Sequence, residues 1–167
     1  MSTLTAGQQA TLKTYIEANP VWMGYAHNSD GAYQIAIDLQ ADSSFVVWRT
    51  NVPETDYTNE ESSEATNWSW VVYMDSSVSE RAGYDRMFLN GFVNPSKVNI
   101  RSGFMDIFSS GQPPVVAQLA HMMATSKRLT NLLEELFATG TGTTLNPGIM
   151  VIEGSINYRE IVEAMEW

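Results

Sequence analysis

Apolar residues recur at helical spacing in several separate runs of this chain, and most runs are bounded by a cap or a stop. Leu12, Tyr15 and Ile16 follow Thr5-Ala6-Gly7-Gln8, which has the form of a capping box with Leu4 at the staple position. This first helix is expected to end before Pro20, whose ring disfavours the helical conformation at Asn19. Asn28-Ser29-Asp30-Gly31 supplies a second N-cap, and Tyr33, Ala36, Ile37 and Leu39 read as the apolar stripe of a short helix behind it. Ser77-Val78-Ser79-Glu80 is another capping box, followed by Arg81, Tyr84, Met87 and Phe88, with Asn90-Gly91 as the stop. Asn94-Pro95 predicts a helix start, with Ile100, Phe104, Ile107 and Phe108 on its apolar face and Ser109-Ser110-Gly111 at its end. Pro113 and Pro114 open the longest predicted helix, roughly residues 114–138, along which Leu119, Met122, Met123, Leu129, Leu132, Leu133, Leu136 and Phe137 run. Such a helix would be about 37 Å long, so part of it is expected to touch something outside its own fold. Asn157-Tyr158-Arg159-Glu160 caps a final short helix with Ile161, Met165 and Trp167 on its apolar side.

Between these runs the pattern changes. Ser44–Thr50 is a continuous apolar run, too short for periodicity to separate a strand from a buried turn of helix. Residues 53–66 are polar, acidic and rich in Ser and Thr, and read as a loop. Trp68, Trp70, Val71, Val72, Tyr73 and Met74 follow; Trp70 and Met74 are four apart, as on one helix face, and a strand stays open as well. Asn146-Pro147-Gly148 is a turn signal between Thr143–Leu145 and Ile149–Ile152, which predicts a β-hairpin. There is no internal repeat and no heptad pattern. The expected fold is mainly α: a single domain over residues 1–167, a compact helical bundle with a long helix in its C-terminal half. Residues 53–67 are expected to form an acidic loop or arm, and residues 139–153 a Gly/Thr-rich loop and β-hairpin arm.

Composition adds the chemical limits. The chain has 167 residues, 44% of them apolar, enough for a real core. It carries 9 Lys and Arg against 19 Asp and Glu, a net charge of −10. An acidic chain is a poor grip for DNA phosphates, which are bound by Lys and Arg releasing counterions. The acidity is not spread evenly. Residues 53–80 hold seven acidic groups and no basic one, whereas residues 81–147 hold six basic and four acidic. One reading is a solvated loop; the sharper one is a negative surface turned toward a basic partner, or toward DNA that must pass without sticking. No apolar run reaches the roughly 18 residues of a membrane span. The first residues lack the basic start and apolar stretch of a secretion signal, so neither membrane nor secretion is expected.

The sequence gives little sign of an enzyme. With no cysteine, thiolate metal sites, disulfides and cysteine nucleophiles are excluded. His27 and His121 are far apart and neither has a second ligand at i+4, so no metal site is expected. His27-Asn28-Ser29-Asp30-Gly31 is a fragment of a calcium loop without its closing glutamate. Thr139-Gly140-Thr141-Gly142-Thr143-Thr144 has no lysine, and neither GxxxxGK[ST] nor GxGxxG spacing, so it is read as a flexible connection rather than a phosphate cradle. There is no GxSxG and no SxxK. No catalytic residue and no cofactor are expected. The Thr and Gly alternation instead suits an exposed strand that pairs with a neighbouring subunit. The five tryptophans are the other notable feature, since tryptophan both fills cores and anchors interfaces. The candidate interface residues are Trp48, Arg49, Trp68, Trp70, Thr139, Gly140, Thr141, Gly142, Thr143, Ile149, Val151 and Trp167.

Several separated stretches resemble a family of small structural proteins encoded in the head–tail region of tailed bacteriophages. They are Val47-Trp48-Arg49-Thr50, Trp68-Ser69-Trp70, and Val98-Asn99-Ile100-Arg101-Ser102-Gly103 continuing through Asp106-Ile107-Phe108. Leu136-Phe137-Ala138-Thr139-Gly140-Thr141-Gly142-Thr143 and Glu153-Gly154-Ser155-Ile156 complete the set. The resemblance covers roughly residues 28–163. It implies a non-enzymatic head–tail adaptor in the virion, made in the host bacterial cytoplasm. Such a protein forms a ring of copies of itself, twelve-fold, between the portal protein and a tail-side neck or terminator protein. DNA passes through the ring and is not specifically bound. The acidic segment and the hairpin depart from the usual four- or five-helix pattern. A tail terminator or completion protein and a capsid-decorating protein are alternatives from the same particle. An acidic DNA mimic that inhibits a host nuclease is an alternative of another class, and the clustering of charge in one segment argues against it.

Overall fold

A computed structural model describes residues 4–58 and 68–167. In chain order these form α1 (Ala6–Glu17), α2 (Pro20–Met23), α3 (Ser29–Asp38), β1 (Asp42–Trp48), β2 (Val52–Pro53) and α4 (Glu54–Thr58). There follow α5 (Trp70–Asp75), α6 (Val78–Met87), β3 (Phe92–Val93), α7 (Val98–Ile107), α8 (Pro113–Thr125), β4 (Lys127–Asn131), α9 (Leu132–Phe137) and α10 (Tyr158–Met165). The fold is mainly α, as the helical spacing predicts. The chain divides into two compact units, one of Met1–Val46 with Leu129–Trp167 and one of Val47–Arg128. β1 and β4 form a two-stranded sheet, and the division between the units falls within these strands. β2 and β3 form another, antiparallel, with Val52 opposite Val93 and Pro53 opposite Phe92.

The first unit is built around α1, α3, α9 and α10. Thr5 and Gln8 cap the start of α1 reciprocally, and Asn157 and Glu160 do the same for α10. Leu12, Ile16, Ile35, Leu39 and Ile161 are wholly buried between these helices. Asn28 caps α3, but its buried face is Gly31, Ala32, Ile35 and Ala36. Tyr33 and Ile37, expected on the apolar stripe, are 59% and 45% exposed. The helix is rotated because Gly31 sits where an added Cβ would lie 1.9 Å from the Ala26 carbonyl oxygen, so only glycine permits that approach.

The second unit has an aromatic core. Tyr57, Tyr84, Phe88, Phe104, Phe108 and Met122 are buried from α4, α6, α7 and α8. Each of the Phe and Met side chains among them contributes about 1.5–3 kcal/mol through burial. The acidic stretch expected to be a loop begins instead with α4, whose Tyr57 is driven into this core. The rest of the expected acidic arm, residues 59–67, lies outside the described residues. The segment after it is helical, so the Trp70–Met74 spacing is that of α5. Asn94-Pro95 does not start a helix. The Asn94 side chain accepts from the Ser96 backbone N–H and hydroxyl in a turn, and α7 begins at Val98 without a side-chain cap.

The predicted long helix over 114–138 is three elements. α8 stops where the Ser126 hydroxyl donates back to the Met122 carbonyl and the Ser126 carbonyl accepts from the Arg49 N–H. β4 follows, with the Thr130 hydroxyl donating to the Phe45 carbonyl. Asn131 then caps α9 together with Glu134. Five strand residues leave the apolar spacing of the two flanking helices nearly in phase, which is why the run reads as one helix. The predicted hairpin is likewise reduced: Thr139 and Ile149 make one antiparallel bridge, and no strand forms over 143–145 or 149–152.

Candidate functional site

The Gly/Thr-rich block lies in the first unit and is held to its own chain. The Val46 N–H donates to the Gly142 carbonyl at 2.8 Å, and the Gly148 N–H to the Val46 carbonyl at 2.8 Å. Thr139 and Ile149 exchange backbone hydrogen bonds of 2.9 and 2.8 Å. The Thr141 hydroxyl donates to the Asn146 carbonyl, and the Thr143 hydroxyl accepts from the Asn146 N–H. Gly140 and Gly142 both have positive φ, and a Cβ on Gly142 would lie 2.2 Å from the Phe45 ring. The loop is thus a clasp closed over Phe45, with Val151 and Ile149 still exposed at 59% and 38%. Beside it opens a cleft of about 440 Å³ between Phe45, Glu135, Thr141 and Thr143. The Ser43 hydroxyl donates to the Glu135 carboxylate and accepts from the Phe45 N–H, which fixes one wall residue of the cleft to the strand. Trp167 also folds back within this unit, with its ring stacked on His27 at 4.7 Å.

Trp48, Arg49, Trp68 and Trp70 fall in the second unit. Trp48 is buried, with the Arg101 guanidinium 4.5 Å and the Lys127 ammonium 5.1 Å from its ring centre. Arg101 also donates to the Pro95 and Ser96 carbonyls. Arg49 faces elsewhere, pairing with Asp56 at 2.6 Å and donating to the Thr125 carbonyl. It is a structural tie. His121 is buried on α8, and its Nε2 lies 2.7 Å from the Tyr57 carbonyl. A carbonyl only accepts, so Nε2 carries the proton. Burial pushes the Tyr57 and Tyr84 hydroxyls well above the usual tyrosine range. These groups anchor the core and are sealed from any substrate.

The two tryptophans beside the acidic segment separate. Trp68 is buried against Tyr73, Tyr84 and Phe108, while Trp70, 5.3 Å from it, is 52% exposed. Ser69 fixes the start of α5 by accepting from the Val72 N–H, and its own N–H donates to Gln118 at 2.7 Å. Val72 points inward, so Trp70, Val71 and Met74 share an arc of about 100° on the outer face. Val71 and Met74 are 70% and 63% exposed, and Val78 just beyond is 75% exposed. Of this outer face only Trp70 was an expected interface residue. The i, i+1, i+4 spacing of Trp70, Val71 and Met74 carries the rest once the segment is known to be helical.

Among the described residues no three His, Cys, Asp or Glu side chains gather as a metal site, and no helix is long and apolar enough to cross a membrane. No protein-family model, curated protein or solved structure matches the chain.

Proposed function

We propose that the chain is a non-enzymatic structural protein of a tailed-phage virion, acting as the head–tail adaptor. It assembles with copies of itself into a ring between the portal protein and a tail-side neck protein, and DNA passes through the opening. The resemblance of its VWRT and LFATGTGTT blocks supports this reading. The physical observation that carries it is the outer face of α5. A helix of six residues exposes Trp70, Val71 and Met74 together, and contiguous apolar surface of this type marks protein–protein contact. The acid-rich composition fits a conduit that does not hold its cargo, because carboxylates repel phosphates.

The clasp over Phe45 changes the part assigned to residues 139–153. Its backbone groups at Gly142 and Gly148 are already used by Val46, so its contribution to assembly is to hold the first unit in shape rather than to lend a strand. The test is co-purification with the portal protein of the same phage. The adaptor reading predicts a stable complex that survives gel filtration. A chain that stays monomeric and never binds the portal sinks it.

A further inference from the structure

Besides α5, a second helix of the same unit leaves an outer face uncovered. On α7, Val98, Arg101 and Met105 lie within one narrow arc, with Lys97 just before it. Val98 and Met105 are 67% and 46% exposed. This face is cationic. Arg101 is held in place by the Trp48 ring and by the Pro95 and Ser96 carbonyls, and Lys97 stands exposed one turn earlier. Among the described residues Arg101 has no carboxylate within ion-pair distance. The start of α7 has no side-chain cap and no acidic residue in its first turn, so its own partial positive charge adds to that of Lys97.

The α5 face carries the opposite sign. Asp75 ends α5 and Glu80 follows in the first turn of α6. Arg81 stands among them, its guanidinium donating to the Met74 carbonyl, so the two acids outweigh one cation and the face keeps a net negative charge. A two-fold contact of α5 with α5 would set these acids against their own copies, which costs affinity. The two faces instead complement one another in both terms, apolar against apolar and acid against base.

We infer that α5 of one copy, through Trp70, Val71 and Met74 with Asp75 and Glu80, docks on the Lys97, Val98, Arg101 and Met105 face of α7 in the next copy. The inference rests on the ring reading above and specifies its subunit contact. It makes the interface heterologous, the kind that closes into a ring or runs on as a filament. Electrostatic pairing across it makes assembly weaken as salt rises.

Sedimentation velocity of the full chain, alone and with the portal protein, tests it. One variant carries Val71→Asp with Met74→Asp, the other Lys97→Glu with Val98→Asp. All four positions are exposed, and circular dichroism checks that each variant folds. Each variant alone should associate at least about tenfold more weakly than the wild type. Mixed, they should form only one-to-one pairs, since each keeps one intact face. If both variants assemble like the wild type, the inference fails and the ring forms through another surface. If only the α5 variant is impaired and mixing gives no pairs, the α7 face is not the partner and the inference fails. If the wild type does not assemble up to about 1 mM or on the portal, the ring reading falls with it.

Discussion

Gly142 shows how much one residue decides. Its φ is +63°, and a Cβ there would meet the Phe45 ring at 2.2 Å. Gly142→Ala therefore meets two penalties, left-handed strain of about 1–2 kcal/mol and a clash with the half-buried ring on which the loop rests. Gly111 has a similar φ of +70° with nothing within 4 Å, so Gly111→Ala should meet the strain alone. Chemical denaturation should show Gly142→Ala clearly less stable than Gly111→Ala; equal losses would mean that the clasp yields freely. Tyr57 and Tyr84 carry a second prediction. Burial raises both hydroxyls above their unfolded value of 10.0. A raised folded pKa gives stability that is complete below the unfolded value and is lost as pH climbs above it. Of the seven tyrosines, these two should ionise only as the second unit unfolds, in a cooperative step above about pH 10 seen together by ultraviolet absorbance and circular dichroism. All seven ionising smoothly with the fold intact would contradict the buried placement. At this scale the sequence was a partial guide. It marked the tryptophans as interface candidates but not which ring is buried. Trp68 and Trp70 are two apart, and only the turn at Ser69 sends one inward and the other out.

Helix starts were the most legible elements. Thr5, Asn28, Ser77 and Asn157 cap the helices that their spacing predicts, because a cap is a local hydrogen bond and needs no distant partner. Asn94 failed for the same reason: its side chain found a nearer donor in Ser96. The break between α8 and α9 was not legible, since it depends on β1 drawing residues 127–131 into a strand. Asn131 restarts the helix there. Its Oδ1 accepts from the Glu134 N–H at 2.8 Å, and its own N–H donates to the Glu134 carboxylate. Asn131→Ala should cost about 1 kcal/mol in denaturant titration. If Asn131→Ala is neutral or stabilising, α8 and α9 prefer to run on as one helix and the strand is not what holds them apart.

At the scale of the molecule, the acidity belongs to particular surfaces rather than to the whole. The acids of α5 and α6 flank an apolar face, and the cations of α7 flank another, both in the second unit. The unusual residues of the first unit contact that unit itself: the Gly/Thr loop rests on Phe45, and the Trp167 ring stacks on His27. The mainly α character could be read from spacing. The division into two units could not, because each core draws on residues far apart in sequence, and the first is closed by the two ends of the chain. The role proposed for this chain is a ring seated on the portal. Native mass spectrometry of the complex with the portal protein measures the copy number directly. An adaptor ring of the proposed kind gives twelve 18.6-kDa chains per portal ring. A free monomer beside an empty portal, or a six-fold ring found only on the tail tube, would contradict it.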